Sequence, residues 1–493
     1  MSGDFSAPLL RKNNGKDISG EEEEDISLKS SFVRKTWEEV KTTWYIAGPA
    51  ILTSLFQYSL GFVTRTLVGH LGTIELAAVG LQGLVVSGIG FGIMMGMGSA
   101  LETLCGQAYG AGKPSMLGIY MQRSWVILLM TAIPLTLVYI FAEPILKLLG
   151  QSSEIAEVAG KFSIWMLPQL LAYALNFPLQ KFLQAQSKVM AMAWISLGVL
   201  VLHVGLSWLS IVKLEMGLVG AAISLNLSWC LMVICQMIYV FTCCKEAWTG
   251  FSWLAFTDLI GFIGLSLASA VMLCLEYWCY MVLIVLAGLL KNPEIQVDAA
   301  SICMSVEGWL FMIPLGFIAA SSVRVSNELG AGRPKAAKFS VAVMVSMSLV
   351  IESTFVVLIL TTRKVFPALF TNNKLVMAEA SDLAIFLSLS IILCSVQPVL
   401  SGVAIGAGWQ SKVAYVNIAT YYLVGLPIGV LLGFKLPFGL QGIWSGVILG
   451  IALQTIILVI MTLRTDWEKE AALAKLRVSS WGTSTDKLSN GCS

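Results

Sequence analysis

One carboxylate stands near the middle of a hydrocarbon run. Residues 266–290 read SLASAVMLCLEYWCYMVLIVLAGLL, and Glu276 is the single charge in that stretch. About 20 apolar residues cover the roughly 30 Å core of a bilayer, and a charge at its centre costs ~2.5–3.5 kcal/mol on insertion scales. Such a residue is either a protonatable group facing the protein interior or a packing residue tied to a polar neighbour. Gln would pack as well without the ionisation penalty, which favours the functional reading. Burial disfavours the charged form of a carboxylate, so a carboxylate here could take up a proton from one side and release it to the other. Tyr280, at i+4, lies on the same face and is placed to donate a hydrogen bond or to stack, although packing explains it equally. Glu307, in ICMSVEGWLFMIP, is a second candidate for proton coupling. It either joins Glu276, with Trp309 beside it, in a shared cavity or faces the headgroups.

The remaining candidates are polar groups and prolines inside apolar runs. Asn176 with Pro178, and Gln397 with Pro398, read as helix breaks lining a cavity, because proline frees a backbone carbonyl that hydrocarbon cannot satisfy. Glu102, in SALETLCGQAYGAGKP, and Arg324 stand where two runs meet polar loops, as gate residues or as side chains solvated at the interface. His203 reads as a satisfied interior histidine.

The elements that must position these groups are membrane spans. Of 493 residues, 57% are hydrophobic and 12% charged, about half the charge of a soluble domain. Apolar runs alternate with short polar hinges near 44–68, 76–100, 121–148, 162–180, 189–211, 217–243, 258–290, 297–321, 338–361, 379–404, 412–434 and 440–463. The fold class is therefore all-α integral membrane, with twelve spans and both termini on one side. The expected division is a disordered cytosolic tail over 1–43, a first lobe over 44–243 and a linker over 244–257. A second lobe over 258–464 and a cytosolic tail over 465–493, beginning as an amphipathic helix, complete it. The polar, acidic start carries no short apolar core of a signal peptide. Lys and Arg favour the side of the termini, which places that side in the cytosol.

The second half repeats the first. Gly110-Ala-Gly-Lys-Pro114 recurs as Gly330-Ala-Gly-Arg-Pro334, and Pro178 matches Pro398 at the same offset. Gln186-Ser-Lys-Val189 returns as Gln410-Ser-Lys-Val413, and Gly217-Leu-x-Gly220 as Gly439-Leu-x-Gly442. Six spans is an even number, so both halves enter the membrane in the same direction. The two six-helix lobes would then be related by a pseudo-two-fold along the membrane normal, as in carriers with parallel repeats. Sliding the halves sets Gln57 of the first lobe at the depth of Glu276 in the second, an amide facing a carboxylate.

Several functions are disfavoured. There is no basic, aromatic-interleaved segment for nucleic acid. Two histidines make a His-rich metal site implausible, and the ten cysteines read as small apolar residues without a disulfide framework. The segment Gly106–Pro114 is not a phosphate loop, since Pro follows Gly-Lys and no strand precedes it. No cofactor is expected, and no soluble stretch could hold an ATPase. Gly88, Gly92 and Gly96 form a small-residue stripe for close helix contact. An intramembrane enzyme would want paired ligands inside spans, and none appears.

The chain also resembles the multidrug and toxic compound extrusion family, in its plant branch, from Trp44 to Trp467. The motifs are GPA at 48–50, VGHLG at 68–72, SALETLCGQAYGAGK at 99–113, QRSW at 122–125 and LNFPLQKFLQAQ at 175–186. MLCLEYW at 272–278, VRVSNELGAG at 323–332 and QPVLSGVAIGAGWQ at 397–410 continue the match. The resemblance implies twelve-helix, two-lobed antiporters that exchange protons for organic solutes, and within plants it is nearest to vacuolar loaders of flavonoids and related metabolites. It places the family's proton-linked glutamate on Glu276. Further acids that some relatives carry fall on Met281, Ser305 and Cys394 here, which thins the carboxylate cluster to Glu276, aided by Glu307. The expected activity is a monomeric, proton-coupled antiporter moving a bulky organic solute from the cytosol, with the vacuolar membrane favoured over the plasma membrane. An anion channel or uniporter of the same fold is the alternative.

Overall fold

A computed structural model describes residues 19–287, 290 and 293–489; side chains are described from Phe32 to Ser480, except Tyr277, Tyr280, Met281, Ile284, Val285, Ala287, 288–289 and 291–294. Among the described residues eleven helices are long and apolar enough to cross a membrane, and a bent pair, taken as one span, makes a twelfth. In chain order they are α1 (Ser19–Val68), α2 (Thr73–Gly110), α3 (Ser115–Ile140), α4 (Ser153–Trp165 with Leu167–Ala185), α5 (Val189–Lys213) and α6 (Gly217–Cys243). After a short connection come α7 (Leu259–Ala287), α8 (Ile295–Gly330), α9 (Pro334–Thr362), α10 (Lys374–Ala407), α11 (Gln410–Lys435) and α12 (Gly439–Arg464). A terminal helix, α13 (Trp467–Ser489), follows. Helices α1 to α6 form one lobe and α7 to α12 the other.

The lobes meet through α1 and α2 on one side and α7 and α8 on the other. The contacts obey the repeat. Helix α1 packs on α8 as α7 packs on α2, and α2 crosses α8. A Cβ placed on Gly110 would strike the Asn327 backbone, and one on Gly330 would strike the Gln107 backbone. Each contact is the other moved by the 220-residue offset, the signature of a two-fold interface. Gly106 lies against Ser326, its own equivalent, so the axis passes between them. Gly112 and Gly332 both adopt positive φ, at 72° and 70°, as do Gly217 and Gly439, at 57° and 51°. These paired turns require glycine's backbone freedom, which explains why the four glycines recur in both halves.

Two expectations need correction. Residues 32–43 are not disordered, because α1 starts at Ser19 and runs on into the first span without a break. Its exit from the bilayer is stabilised by docking on the second lobe, where Phe32 meets Phe339 edge-on and Arg324 grips Glu39 with two hydrogen bonds of 2.9 Å. The second concerns the prolines. Pro178 and Pro398 lie inside Leu167–Ala185 and Lys374–Ala407 without ending either helix. The break in α4 falls at Met166, where the two segments bend by 51° and Pro168 opens the second. Proline fits a first helical turn because the N–H it lacks has no partner there anyway.

Candidate functional site

Glu276 sits half-buried inside the second lobe and is held by neutral donors. Its Oε1 accepts from Ser401 Oγ at 3.1 Å, Asn417 Nδ2 at 3.1 Å and Gln454 Nε2 at 3.0 Å. These donors come from α10, α11 and α12, so the carboxylate ties four helices together. A second layer orients them. Gln397 Nε2 donates to Ser401 Oγ at 3.0 Å, Gln454 Nε2 also reaches Asn417 Oδ1 at 2.6 Å, and Tyr421 donates to Gln454 Oε1. Asn417 Nδ2 further bonds Met272 O at 2.9 Å. An ionised carboxylate only accepts hydrogen bonds, and the shell turns only N–H and O–H groups towards this oxygen. Among the described residues no Lys or Arg pairs with it. Asn417 and Gln454, which the sequence reading missed, were discoverable as polar side chains within apolar spans, the same signal that exposed Glu276.

Glu307 lies elsewhere. It is buried against α10, with Oε1 accepting from Ser390 Oγ at 2.7 Å and Oε2 unpartnered. Another buried carboxylate, Glu352 of α9, has an unpartnered Oε1 and was also missed. The side chains of Tyr280 and Met281 lie outside the described ones.

A cavity of about 340 Å³ opens between the lobes, in the half of the membrane away from the termini. Gln57 and Tyr58 of α1, Gln82 and Phe91 of α2, Tyr173 of α4, Trp229 of α6 and Phe311 of α8 line much of it. A π-helical turn over Gln82–Val86 turns Gln82 and Gly83 towards the space, a device common at functional sites. Of the expected cavity residues, Gln57 is there. Trp309 packs edge-on against Tyr58, 5.2 Å between ring centroids, and so backs the wall. Asn176 and Gln397 are not on the wall. Asn176 Oδ1 accepts from Gln236 Nε2 at 3.1 Å inside the first lobe, and Gln397 belongs to the Glu276 shell. Buried amides inside a span bond one another more readily than they face open space. His203 is satisfied by Thr64, Ser228 and the Leu60 carbonyl.

On the side of the termini the lobes are closed. Glu102 is fully buried rather than solvated at an interface; it accepts from Ser322 Oγ across the axis and pairs with Lys181 Nζ at 2.9 Å. Gln107 Nε2 donates to Gly406 O at 3.1 Å, and Asn327 Nδ2 mirrors it on Ala185 O at 3.3 Å. Arg324 binds Glu39 and Glu328, each at 2.9 Å. Four of the expected gate positions thus divide: Glu102 and Arg324 bridge the lobes at this closure, and Pro178 and Pro398 do not.

The MatE family model matches residues 49–209 and 268–431, one block in each lobe. The chain belongs to the MatE family. MatE relatives support this along the full length. Protein DETOXIFICATION 33 of Arabidopsis thaliana is 56% identical over 483 residues, covering 98% of this chain and 99% of that protein. Protein DETOXIFICATION 29 of the same plant is 54% identical, covering 94% and 93%. The crystal structure of the eukaryotic MATE transporter AtDTX14 superposes with a TM-score of 0.86 at 36% identity, over 90% of this chain and 99% of that one. A multidrug resistance MATE transporter in an outward-facing conformation shares the fold, with a TM-score of 0.76 at 17% identity over 90% and 97% of the two chains. The MatE chain described here is accordingly an integral membrane transporter with twelve helices in two lobes, and not an enzyme.

Proposed function

We propose that the protein is a proton-coupled antiporter that moves a bulky organic solute out of the cytosol, with the vacuolar membrane as its favoured location. It works as a monomer, with both termini in the cytosol. The observation that carries the reading is Glu276 and its shell of Ser401, Asn417 and Gln454. A proton arriving on the carboxylate converts an acceptor into a donor. It thereby removes the negative charge that strengthens the bonds tying α10, α11 and α12 to this carboxylate.

The path from that event to the solute runs through α7. This helix packs on α2 along the glycine stripe: Gly96 lies against the Ala270 backbone, and a Cβ on Gly92 would stand 3.6 Å from Cys274 Sγ. The other half of α2 lines the cavity. Such close packing transmits a shift of α7 to the cavity wall. In the cycle, solute enters from the cytosol with Glu276 ionised. Protonation from the acidic lumen weakens its hold, solute leaves on the far side, and deprotonation towards the cytosol resets the lobes. Glu102 and Arg324 act as the cytosolic gate. Glu307 of α8, buried against α10, is the secondary proton-binding group.

The test is uptake into vesicles carrying the purified protein under an imposed pH gradient. Wild type accumulates an organic solute, and Glu276→Gln loses at least about tenfold of that drive while keeping its fold by circular dichroism. Flux that follows voltage alone, unchanged in Glu276→Gln, would replace this reading with an anion channel. The wholly neutral shell around Glu276 gives that second reading its footing.

A further inference from the structure

We infer that Arg65 is the charge selector of the interlobe cavity, which takes aromatic solutes bearing an anionic group and rejects organic cations. The inference rests on reading that cavity as the solute site.

Charge comes first. Among the described residues, Arg65 is the sole charged one lining the cavity, and no Asp or Glu lines it. Its Nε donates to Gly61 O at 3.2 Å, which folds the guanidinium back along α1. Among the described residues no carboxylate pairs with it. A guanidinium fork left open in this way matches a carboxylate or sulfate.

Spacing narrows the class. Gln57 Nε2 is a buried donor with no partner. It lies eight residues before Arg65 on the same face of α1, with Gly61 between them contributing no side chain. At 1.5 Å per residue the two backbone positions are ~12 Å apart along the axis, and the guanidinium, folded back to Gly61, stands about one turn from Gln57. One solute satisfies both by offering a hydrogen-bond acceptor to the amide and an anion to the guanidinium.

The wall supplies the third constraint. Phe91 and Tyr173 stand edge-on at 5.6 Å between centroids, and Tyr173 and Trp229 at 4.8 Å. Ring faces attract aromatic solutes of any charge, and cations too. The aromatic wall alone would therefore admit an organic cation; an unpaired guanidinium in the same space excludes it by like-charge repulsion. A simpler role for Arg65 is to anchor an exposed helix end to headgroups, and that role leaves solute selectivity untouched.

The experiment is equilibrium dialysis with the purified full-length protein in detergent. The probes are 4-methylumbelliferyl glucuronide and 4-methylumbelliferyl glucoside, which share ring and sugar and differ by a carboxylate, with ethidium as the aromatic cation. The glucuronide should bind about tenfold more tightly than the glucoside, and ethidium should not displace it. Arg65→Gln should bring the ratio to about one by weakening the glucuronide, Arg65→Lys should keep most of the preference, and Gln57→Leu should weaken both glycosides alike. A ratio unchanged in Arg65→Gln, or displacement by ethidium, overturns the inference. If Arg65→Gln does not fold, the wild-type ratio and Arg65→Lys decide: no preference in wild type, or its loss in Lys, counts against it. Dialysis needs no proton gradient. Selective binding without pH-driven uptake would defeat the antiporter reading alone, and pH-driven uptake with a ratio of one would defeat this inference alone.

Discussion

At the scale of single residues, Glu276 and Glu102 differ in what meets the carboxylate: neutral donors at the first, an ammonium at the second. Glu276 sits among neutral amides and a hydroxyl, all of which can turn to meet a proton. Glu102 is fully buried and meets an ammonium, Lys181, at 2.9 Å. Breaking a buried ion pair by removing one partner costs about 3–5 kcal/mol, because the other charge is left uncompensated. Lys181→Met should therefore lower the thermal midpoint of the purified protein markedly, and the double variant Lys181→Met with Glu102→Gln should recover most of the loss. An equal loss in the single and double variants would show that Lys181 contributes packing and not charge. Asn417→Leu makes the complementary case. It removes one donor from Glu276 and the bond to Met272 O, and should depress pH-driven uptake by about tenfold, since a hydrogen bond to a charged group contributes roughly 1.5–3 kcal/mol. Uptake equal to wild type would remove Asn417 from the coupling shell.

At the scale of elements, α1 does two jobs. Its far half lines the cavity through Gln57, Tyr58 and Arg65. Its near half leaves the first lobe and grips the second through Glu39 and Arg324, whose side chains are only 12% and 14% exposed. A partly buried bidentate pair of this kind holds more firmly than a surface pair. Arg324→Gln should release the start of α1 and raise amide hydrogen exchange over residues 32–43, with protection of the membrane-embedded helices unchanged. Exchange that stays at the wild-type level would show that the Phe32–Phe339 contact suffices. Terminal helix α13 reinforces the same side: Arg477 Nη1 caps the Ala407 carbonyl at the end of α10 at 2.9 Å, and Trp467 packs on Trp409.

At the scale of the whole molecule, the pseudo-two-fold passes between Gly106 and Ser326, where α2 and α8 touch without a side chain on the first. That contact lies within the closed seam on the termini side, and opening that side would separate it. A bulky side chain there acts as a wedge on one state and not the other, and a perturbation shifts a two-state equilibrium only by its differential effect. Gly106→Leu should favour opening on the termini side. Cysteines introduced along the far-side cavity, for example Ser54→Cys, should then label more slowly with a membrane-impermeant maleimide applied from the far side. Labelling at the wild-type rate would place the axis contact outside the moving seam.

The sequence alone carried much of this. A 25-residue apolar run with one acid demanded a role for Glu276 because hydrocarbon makes an idle charge expensive. The repeat in Gly110–Pro114 and Gly330–Pro334 determined two lobes in parallel, since six spans return the chain to the side it started from. Motif resemblance named the family that the full-length relatives then established. What sequence could not decide was which polar side chains inside the spans meet one another. Their place beside prolines predicts Asn176 and Gln397 on the cavity wall; the fold instead turns Asn176 to Gln236 and Gln397 to Ser401. Helix periodicity fixes a residue's depth and face, but not the neighbour opposite, which depends on how each helix is rotated and tilted against the others. The same limit hid Asn417 and Gln454 behind Glu276, and left Arg65 unremarked until the two lobes enclosed a cavity with no other charge.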